Sequence, residues 1–338
     1  MKKREETIHW SKRKELAAGY WHVKLLLIIF NVFPVIILRV LAFPVGFFYF
    51  LFSKKARNES KRFLQKAAPF TAPEFQKKCK SRLGPMRHII SFSLSLVEKI
   101  ETWGGKYQFK NIHFQDDDIG DLIRNLENGK GVFLITSHLG NAELLRGLLS
   151  FDRTGVSHKI PIIAVIETKI TAHFNRMMKE LNPQSTMDLI NSSEIGPQTA
   201  ILFEEKLSAG GIVTIAADRN SSIETEKNFL IPFLGEDALF SPGAFQMAAL
   251  MNAPVYLIFG LRQKTFSLRP RYNMHVHRSA LDFDCPRKER QKRSMELARS
   301  YVNLLEGYCK ENPFQWYNFY DFWAKRYTNG NTGEQRTL

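Results

Sequence analysis

The sequence predicts an α/β protein in which a mainly parallel sheet is flanked by helices on both faces, with an N-terminal apolar helical membrane anchor. Two observations predict the sheet: short apolar runs recur along the chain, and segments with helical periodicity separate them. A third observation predicts the anchor, because residues 23–52 are almost wholly apolar and basic clusters lie on both sides. At 338 residues the chain is long enough to bury a full-sized core.

The predicted elements follow one another in the order expected for a parallel sheet. Buried strands are predicted at 131–137 (GVFLITS), 160–167 (IPIIAVIE), 212–218 (IVTIAAD) and 254–262 (PVYLIFGLR). Helices are predicted at 171–182, 199–211, 241–253 and 287–311. Four aromatic residues of the C-terminal segment recur at i, i+3, i+4 and i+7, which predicts one face of a further helix, either in the core or at a membrane interface: Trp316, Phe319, Tyr320 and Trp323.

The apolar N-terminal segment does not have the pattern of a simple membrane-spanning helix. Arg39 divides it into two uncharged runs of 14 residues, bounded by Lys24 and Lys54. Each run would be only about 21 Å long as a helix, shorter than the roughly 30 Å hydrocarbon core. We therefore expect a kinked helix or shallow hairpin bent near Pro34 or Arg39. A tilted span with a snorkelling Arg39, or a buried helical hairpin in a soluble protein, are the alternatives.

Four regions are expected along the chain. They are a basic-flanked membrane anchor (1–55), a basic helical segment (56–110), the α/β domain with its C-terminal helices (111–327) and a disordered tail (328–338).

The charge and the cysteines restrict the class of partner. A net charge of +15 favours an anionic partner such as a membrane surface, an acidic carrier protein or a nucleic acid. Nucleic acid is not expected, because the basic residues flank an apolar segment and no recognised nucleic-acid motif is present. Three widely separated cysteines predict neither a zinc site nor a disulfide framework. The sequence also lacks the motifs of common hydrolases and nucleotide-binding proteins.

The stretch TSHLGNAELL (136–145) carries the candidate catalytic residues. His138 follows the first predicted strand, and ligands of open parallel sheets bind beyond the carboxyl ends of the strands. Asn141 is a predicted N-cap, and Glu143 lies in the first turn of the helix that follows. Since five residues rotate by about 140° around a helix, His138 and Glu143 can meet only if the histidine lies on the preceding loop. The alternative is a loop histidine followed by an ordinary capping glutamate.

These motifs, taken in order, resemble the lysophospholipid acyltransferase superfamily, specifically the bacterial late lipid A biosynthesis acyltransferases. The segments that carry the resemblance are IHWSKRKELAAGYWHVKLLL (8–27), SHLGNAELLRGL (137–148), FNRMMKELNP (174–183), AADR (216–219), FSPGAFQMAALMNAPVYLIFGLR (240–262) and PFQWYNFYDFW (313–323). The beginning and the aromatic ending are most similar to the branch associated with aryl-polyene lipids or fused to glycosyltransferases.

The resemblance implies the transfer of a fatty acyl chain from acyl carrier protein to a hydroxyl of a membrane glycolipid, without an added cofactor or metal. His138 would be the general base, with Glu143 orienting it and Asp218 positioning the histidine or the acceptor. The substrate-binding residues it implies are Asn141, Arg176, Arg219, Ser241 and Gly243. One departure is that no residue aligns clearly with the family's arginine after the second strand; Arg176 and Lys169 are the nearest cations.

The implied location is the cytoplasmic face of a bacterial inner membrane, with acyl carrier protein, an acceptor lipid and the anionic membrane surface as partners. Two other functions remain open. One is a glycerolipid acyltransferase, although that group usually has H-x4-D and a P-E-G-T-like block, which this sequence lacks. The other is a non-catalytic protein that binds an acidic partner at the membrane.

Overall fold

A computed structural model describes residues 30, 32–103, 106–115, 118–141, 143–144, 156–166, 187–192, 195–219 and 228–323. The helices are α1 (Val35–Phe52), α2 (Lys54–Ala67), α3 (Pro73–Lys80), α4 (Gly84–Trp103), α5 (Asp118–Glu127), α6 (Pro197–Ser208), α7 (Gly243–Met251) and α8 (Arg287–Glu311). The strands are β1 (Ile112–Phe114), β2 (Val132–Thr136), β3 (Ile162–Ile166), β4 (Met187–Asn191), β5 (Ile212–Ala216), β6 (Phe229–Phe233), β7 (Glu236–Phe240), β8 (Val255–Arg262) and β9 (Tyr272–Arg278). The predicted helix 171–182, the tail 328–338 and the segment 8–27 lie outside the described residues.

The main sheet has the order β1-β9-β8-β2-β5-β3-β4. Every pairing in it is parallel except that of β8 with β9, which is antiparallel. Strands β6 and β7 form a separate antiparallel hairpin. The predicted α/β class and mainly parallel sheet are therefore confirmed, and the four strands predicted from apolar runs are all present.

Both faces of the sheet are covered, because alternate side chains of the same strand enter two different apolar cores. From β2, Phe133 and Ile135 pack into one core with residues of α6, α7 and α8. Val132 and Leu134 of the same strand pack into the second core, which α5 covers. Burial on both faces explains why these strands are continuous apolar runs with no polar alternation.

Two parts of the fold differ from the sequence prediction. Strands β1, β4, β6, β7 and β9 were all missed, although β6 (FLIPF) is itself a short apolar run. The aromatic stripe at 316–323 is not helical: residues 313–323 are irregular, and Trp316 forms an isolated antiparallel bridge with Leu139. We call residues 313–323 the C-terminal strap. Its aromatic side chains are mostly buried, with Trp316 fully so, because the strap crosses the carboxyl ends of the strands.

Helix α1 docks on α4 along one narrow stripe. Arg39, Ala42 and Gly46 are its buried residues, and a Cβ at Gly46 would lie only 2.8 Å from the Ser93 hydroxyl of α4. Arg39 forms a buried ion pair with Glu101 of α4 and donates a 2.8 Å bond to the Leu268 carbonyl. The prediction of a bend or a snorkelling side chain at Arg39 is wrong, since the residue lies inside a continuous helix and its charge is paired within the protein. The alternative position of the bend, near Pro34, agrees with the break in helical structure at 33–34, directly before α1 begins.

The rest of α1 is apolar and exposed. Val45, Phe48 and Phe52 each have more than half of their surface accessible. In the described part of the chain, α1 is the one helix whose length and apolar composition would allow it to cross a membrane. Its 18 residues span about 27 Å, slightly less than the hydrocarbon core. The exposed apolar surface argues against the alternative of a buried soluble hairpin.

Candidate functional site

The register of two neighbouring strands brings His138 and Asp218 together. Strand β2 lies beside β5 in parallel, with Thr136 opposite Ala216. His138 and Asp218 each follow two residues after this last pair, so they emerge side by side at the carboxyl edge of the sheet. This is the edge at which open parallel sheets bind ligands.

Asp218 holds the imidazole of His138 through two contacts. One carboxylate oxygen lies 2.7 Å from His138 Nδ1, and the other accepts the His138 backbone N–H at 2.7 Å. Since an ionised carboxylate can only accept, Nδ1 carries the proton and the neutral ring has its lone pair on Nε2. No hydrogen bond to Nε2 is made by the residues that the structure describes, and about a quarter of the side chain is accessible.

The surroundings favour a neutral histidine beside an ionised aspartate. Burial has the largest effect on the pKa of His138 and lowers it, the Arg219 guanidinium lowers it further, and Asp218 offsets these effects only in part. Burial by itself would raise the pKa of Asp218, but the bonds from His138 and Trp316 hold that pKa below its ordinary value. At neutral pH the ring is therefore in the form that can accept a proton.

The loop after His138 turns tightly against β8. Gly140 has φ of +66°, and a Cβ there would lie 2.0 Å from the Gly260 carbonyl oxygen. The next residue, Asn141, donates its backbone N–H to that same carbonyl at 2.7 Å. A side chain at position 140 would push the loop off the sheet. The glycine of the H-L-G-N sequence therefore allows the loop that carries His138 to lie close against the ends of the strands.

The C-terminal strap completes the surroundings of Asp218. The Trp316 indole N–H donates to the aspartate at 2.8 Å, to the same oxygen that binds the His138 backbone. The Asn318 amide donates to the Asp218 carbonyl at 2.9 Å. On the other side, the strap pairs with the histidine loop, since Tyr317 N–H donates to the His138 carbonyl at 3.1 Å. A carboxylate with no exposed surface thus has several donors, which makes its burial tolerable.

Sequence reasoning placed Trp316 only on the aromatic stripe and assigned no role to Gln315 or Asn318, although all three lie in a motif that carries the resemblance. Gln315 binds the Arg262 backbone through both ends of its amide, at 2.8 Å each. One signal was present: Pro313 lies two residues after the last residue of α8, and proline disfavours helix continuation.

His88 of α4 links the strap to two helices from inside the core. Its Nε2 lies 2.8 Å from the Trp316 carbonyl, which can only accept, and Ser60 of α2 contacts Nδ1 at 3.0 Å. Burial lowers the pKa of His88 to about 4, although the bond to the Trp316 carbonyl acts in the opposite direction. His88 is therefore mostly neutral in the folded protein at neutral pH.

This lowered pKa predicts a loss of stability in mild acid. An unfolded histidine titrates near 6.5, so between that pH and about 4 the unfolded chain binds a proton that the folded chain does not. The free energy of unfolding should fall by about 3 kcal/mol across this window through His88 alone. We expect His88→Gln to be less stable at pH 7 and to show a shallower decline, measured by denaturant unfolding between pH 4 and 7. His113→Gln, at an exposed position of β1, is the control, and equal slopes in the two variants would contradict the assignment.

The remaining predicted site residues have different positions. Glu143 begins the described helical residues 143–144 and is partly exposed. Asp218 contacts Nδ1 of His138, so Glu143 does not occupy that position, and its orienting role stays a prediction. Asn141 is not a side-chain N-cap: its amide is fully buried, and neither the nitrogen nor the oxygen has a hydrogen-bond partner. Arg219 lies close enough to lower the pKa of His138.

Ser241 and Gly243 are partly exposed and exposed, respectively, at the start of α7, and Gly243 is its first residue. Their substrate-binding role stays a prediction. Arg176 and Lys169 lie outside the described residues. Among the residues described, no three His, Cys, Asp or Glu side chains are grouped so that they could bind a metal ion.

Comparison of the sequence with models of known protein families and with curated proteins finds no match. The likeness to the acyltransferase superfamily therefore remains a resemblance carried by the sequence motifs alone.

Proposed function

We propose that this chain is a membrane-attached O-acyltransferase that moves a fatty acyl group from acyl carrier protein to a hydroxyl of a membrane lipid or glycolipid. The observation that carries the proposal is the Asp218–His138 pair at the carboxyl edge of the sheet, where no described residue binds Nε2 and about a quarter of the side chain is accessible. A neutral imidazole held by a buried carboxylate is suited to removing a proton from a hydroxyl.

In the proposed reaction, Nε2 of His138 takes the proton from the acceptor hydroxyl as its oxygen attacks the thioester carbonyl. Asp218 stabilises the imidazolium that forms. The C–S bond then breaks, and the imidazolium returns the proton to the leaving thiolate. Direct attack needs no acyl-enzyme and no redox cofactor. The buried, unpartnered amide of Asn141 and the guanidinium of Arg219 are proposed to contact the substrates near the thioester oxygen.

The proposed location is the cytoplasmic surface of a bacterial inner membrane. The exposed apolar face of α1 supports burial in lipid. Basic residues follow the helix directly, with Lys54 and Lys55 opening α2, and they would lie at an anionic leaflet. Acyl carrier protein is acidic and suits the net charge of +15, and nucleic acid is not a proposed partner.

The proposal is tested with the full chain purified in a neutral detergent. Radiolabelled acyl carrier protein and a bacterial membrane lipid extract are supplied, and the labelled lipid product is identified by mass spectrometry. We expect transfer to a hydroxyl-bearing glycolipid. Preference for lysophosphatidic acid as acceptor would instead favour a glycerolipid acyltransferase, and no transfer from either acyl carrier protein or acyl coenzyme A would favour a non-catalytic binding protein.

A further inference from the structure

A basic cavity of about 400 Å³ lies outside the Asp218–His138 pair. Its lining includes three cations from three different parts of the chain: Lys78 of α3, Arg87 of α4 and Lys264 of the β8–β9 loop. Phe75, Phe266 and Phe314 form apolar walls, and the hydroxyl groups of Thr265 and Ser267 complete the lining. We call this cavity the basic pocket.

The three cations of the basic pocket have no carboxylate partner among the described residues, and no carboxylate belongs to its lining. Lys66 and Lys310, elsewhere in the described chain, are paired with Glu236 and Glu306. The contact found for the Lys78 ammonium is the Phe75 ring, 5.3 Å from its centroid. Three like charges around one cavity repel one another, so an anion bound between them would be stabilised.

The position of the pocket indicates where its anion comes from. The β8–β9 loop packs directly on the apolar helix α1: the rings of Phe266 and Phe43 lie 6.5 Å apart, and Arg39 of α1 binds the Leu268 carbonyl. Phe266 is thus both a wall of the basic pocket and a contact of the helix whose exposed face is apolar. A ligand with an anionic headgroup and an apolar tail would satisfy the pocket and this face together.

We propose that the basic pocket binds the phosphate of a membrane lipid headgroup. Arginine and lysine are the usual phosphate ligands of proteins. The Thr265 hydroxyl of the lining can donate as well, whereas the Ser267 hydroxyl already donates to the Arg269 carbonyl. The aromatic walls would contact the apolar part of the lipid next to its headgroup. This binding does not depend on acyl transfer.

Two connections in the fold place the basic pocket near the loop that carries His138. Gly260 pairs with Gly140, and Lys264 is four residues farther on, at most about 14 Å away in an extended chain. Phe314 lies two residues before Trp316, which binds Asp218. A lipid in the pocket would therefore have its headgroup near the proposed reacting group, a consequence that rests on the proposed function.

The test measures binding of dihexanoyl phosphatidic acid to the full chain in a neutral detergent by titration calorimetry, without any acyl donor. We expect K78Q/R87Q/K264Q to weaken binding at least tenfold, since each charge-assisted contact that is lost weakens binding severalfold. The matched control is K77Q/K80Q/R82Q, which removes three exposed charges from the same region but outside the pocket. Its affinity should remain within twofold of the wild type.

Three results would overturn the proposal. Equal weakening in both triple variants would indicate diffuse attraction to a basic surface, and unchanged affinity in the pocket variant would place the ligand elsewhere. Inorganic phosphate that binds as tightly as the lipid would identify a free phosphate as the ligand. The binding experiment contains no acyl donor. Its result therefore tests the lipid site even if the protein proves unable to transfer an acyl group.

Discussion

His138→Ala is expected to lower the rate of acyl transfer by about 10² to 10⁴, the range for loss of a general base. The substitution removes Nε2, which no described residue binds, from a side chain that is about a quarter accessible. The fold should survive, because the loop is held by backbone bonds that alanine keeps. Two of these are the His138 carbonyl to Tyr317 and the Gly140 N–H to the Gln315 carbonyl.

The measurement is initial rate at saturating acyl carrier protein, with binding of the donor followed separately. We expect kcat to fall while donor affinity stays within a few fold, since the imidazole acts on the acceptor proton. His113→Ala, at an exposed position of β1, is the control for the loss of a histidine. A His138→Ala rate within threefold of the wild type would reject the general-base role.

The pH dependence gives the same assignment an independent check. Burial and Arg219 lower the pKa of His138, so the neutral, active form persists below pH 6.5. We expect the acid limb of kcat/KM to have its midpoint below 6.5. In Arg219→Gln this limb should move to higher pH, because removing a nearby cation raises the pKa of the histidine.

The central strands could be predicted from sequence, whereas the edges of the fold could not. Strands β2, β3, β5 and β8 are buried on both faces and therefore appear as apolar runs. Strand β9 has buried and accessible residues in alternation, and β4 contains polar residues, since these strands lie toward the sides of the sheet. A short alternating run is difficult to distinguish from a loop in one sequence.

The candidate site was predictable only in its individual residues. The position of His138 after an apolar strand predicted a loop at the carboxyl edge, and this is where the structure has it. The identity of its carboxylate partner depends on strand order: Asp218 is 80 residues away in sequence and becomes adjacent because β5 pairs with β2. Glu143 is near in sequence, which made it the more obvious choice. The strap was missed because it contacts the loop of His138 after β2 and Asp218 after β5, and these come together only in the folded sheet.

Asp218→Asn is expected to lower the transfer rate by about 10² to 10⁴ as well, through the tautomer of the histidine rather than through loss of shape. In the wild type, one oxygen of Asp218 accepts two N–H groups, from the His138 backbone and from the Trp316 indole. Those two donors require an oxygen, so the asparagine would keep its carbonyl there and turn its NH₂ group toward His138 Nδ1. Nδ1 must then accept a hydrogen bond, so the proton of the neutral ring moves to Nε2. A protonated Nε2 has no lone pair with which to take the proton of the acceptor hydroxyl.

The same substitution also separates the two candidate carboxylates. Glu143→Gln leaves the bond between Asp218 and His138 intact, so we expect a smaller reduction in rate than for Asp218→Asn. Loss of the Asp218 charge should also shift the acid limb of kcat/KM further down, because that charge raises the pKa of His138. Asp237→Asn, at an exposed position of β7, controls for the change in net charge. A larger loss in Glu143→Gln than in Asp218→Asn would return the orienting role to Glu143, and it would mean that the geometry at the strand ends changes when substrate binds.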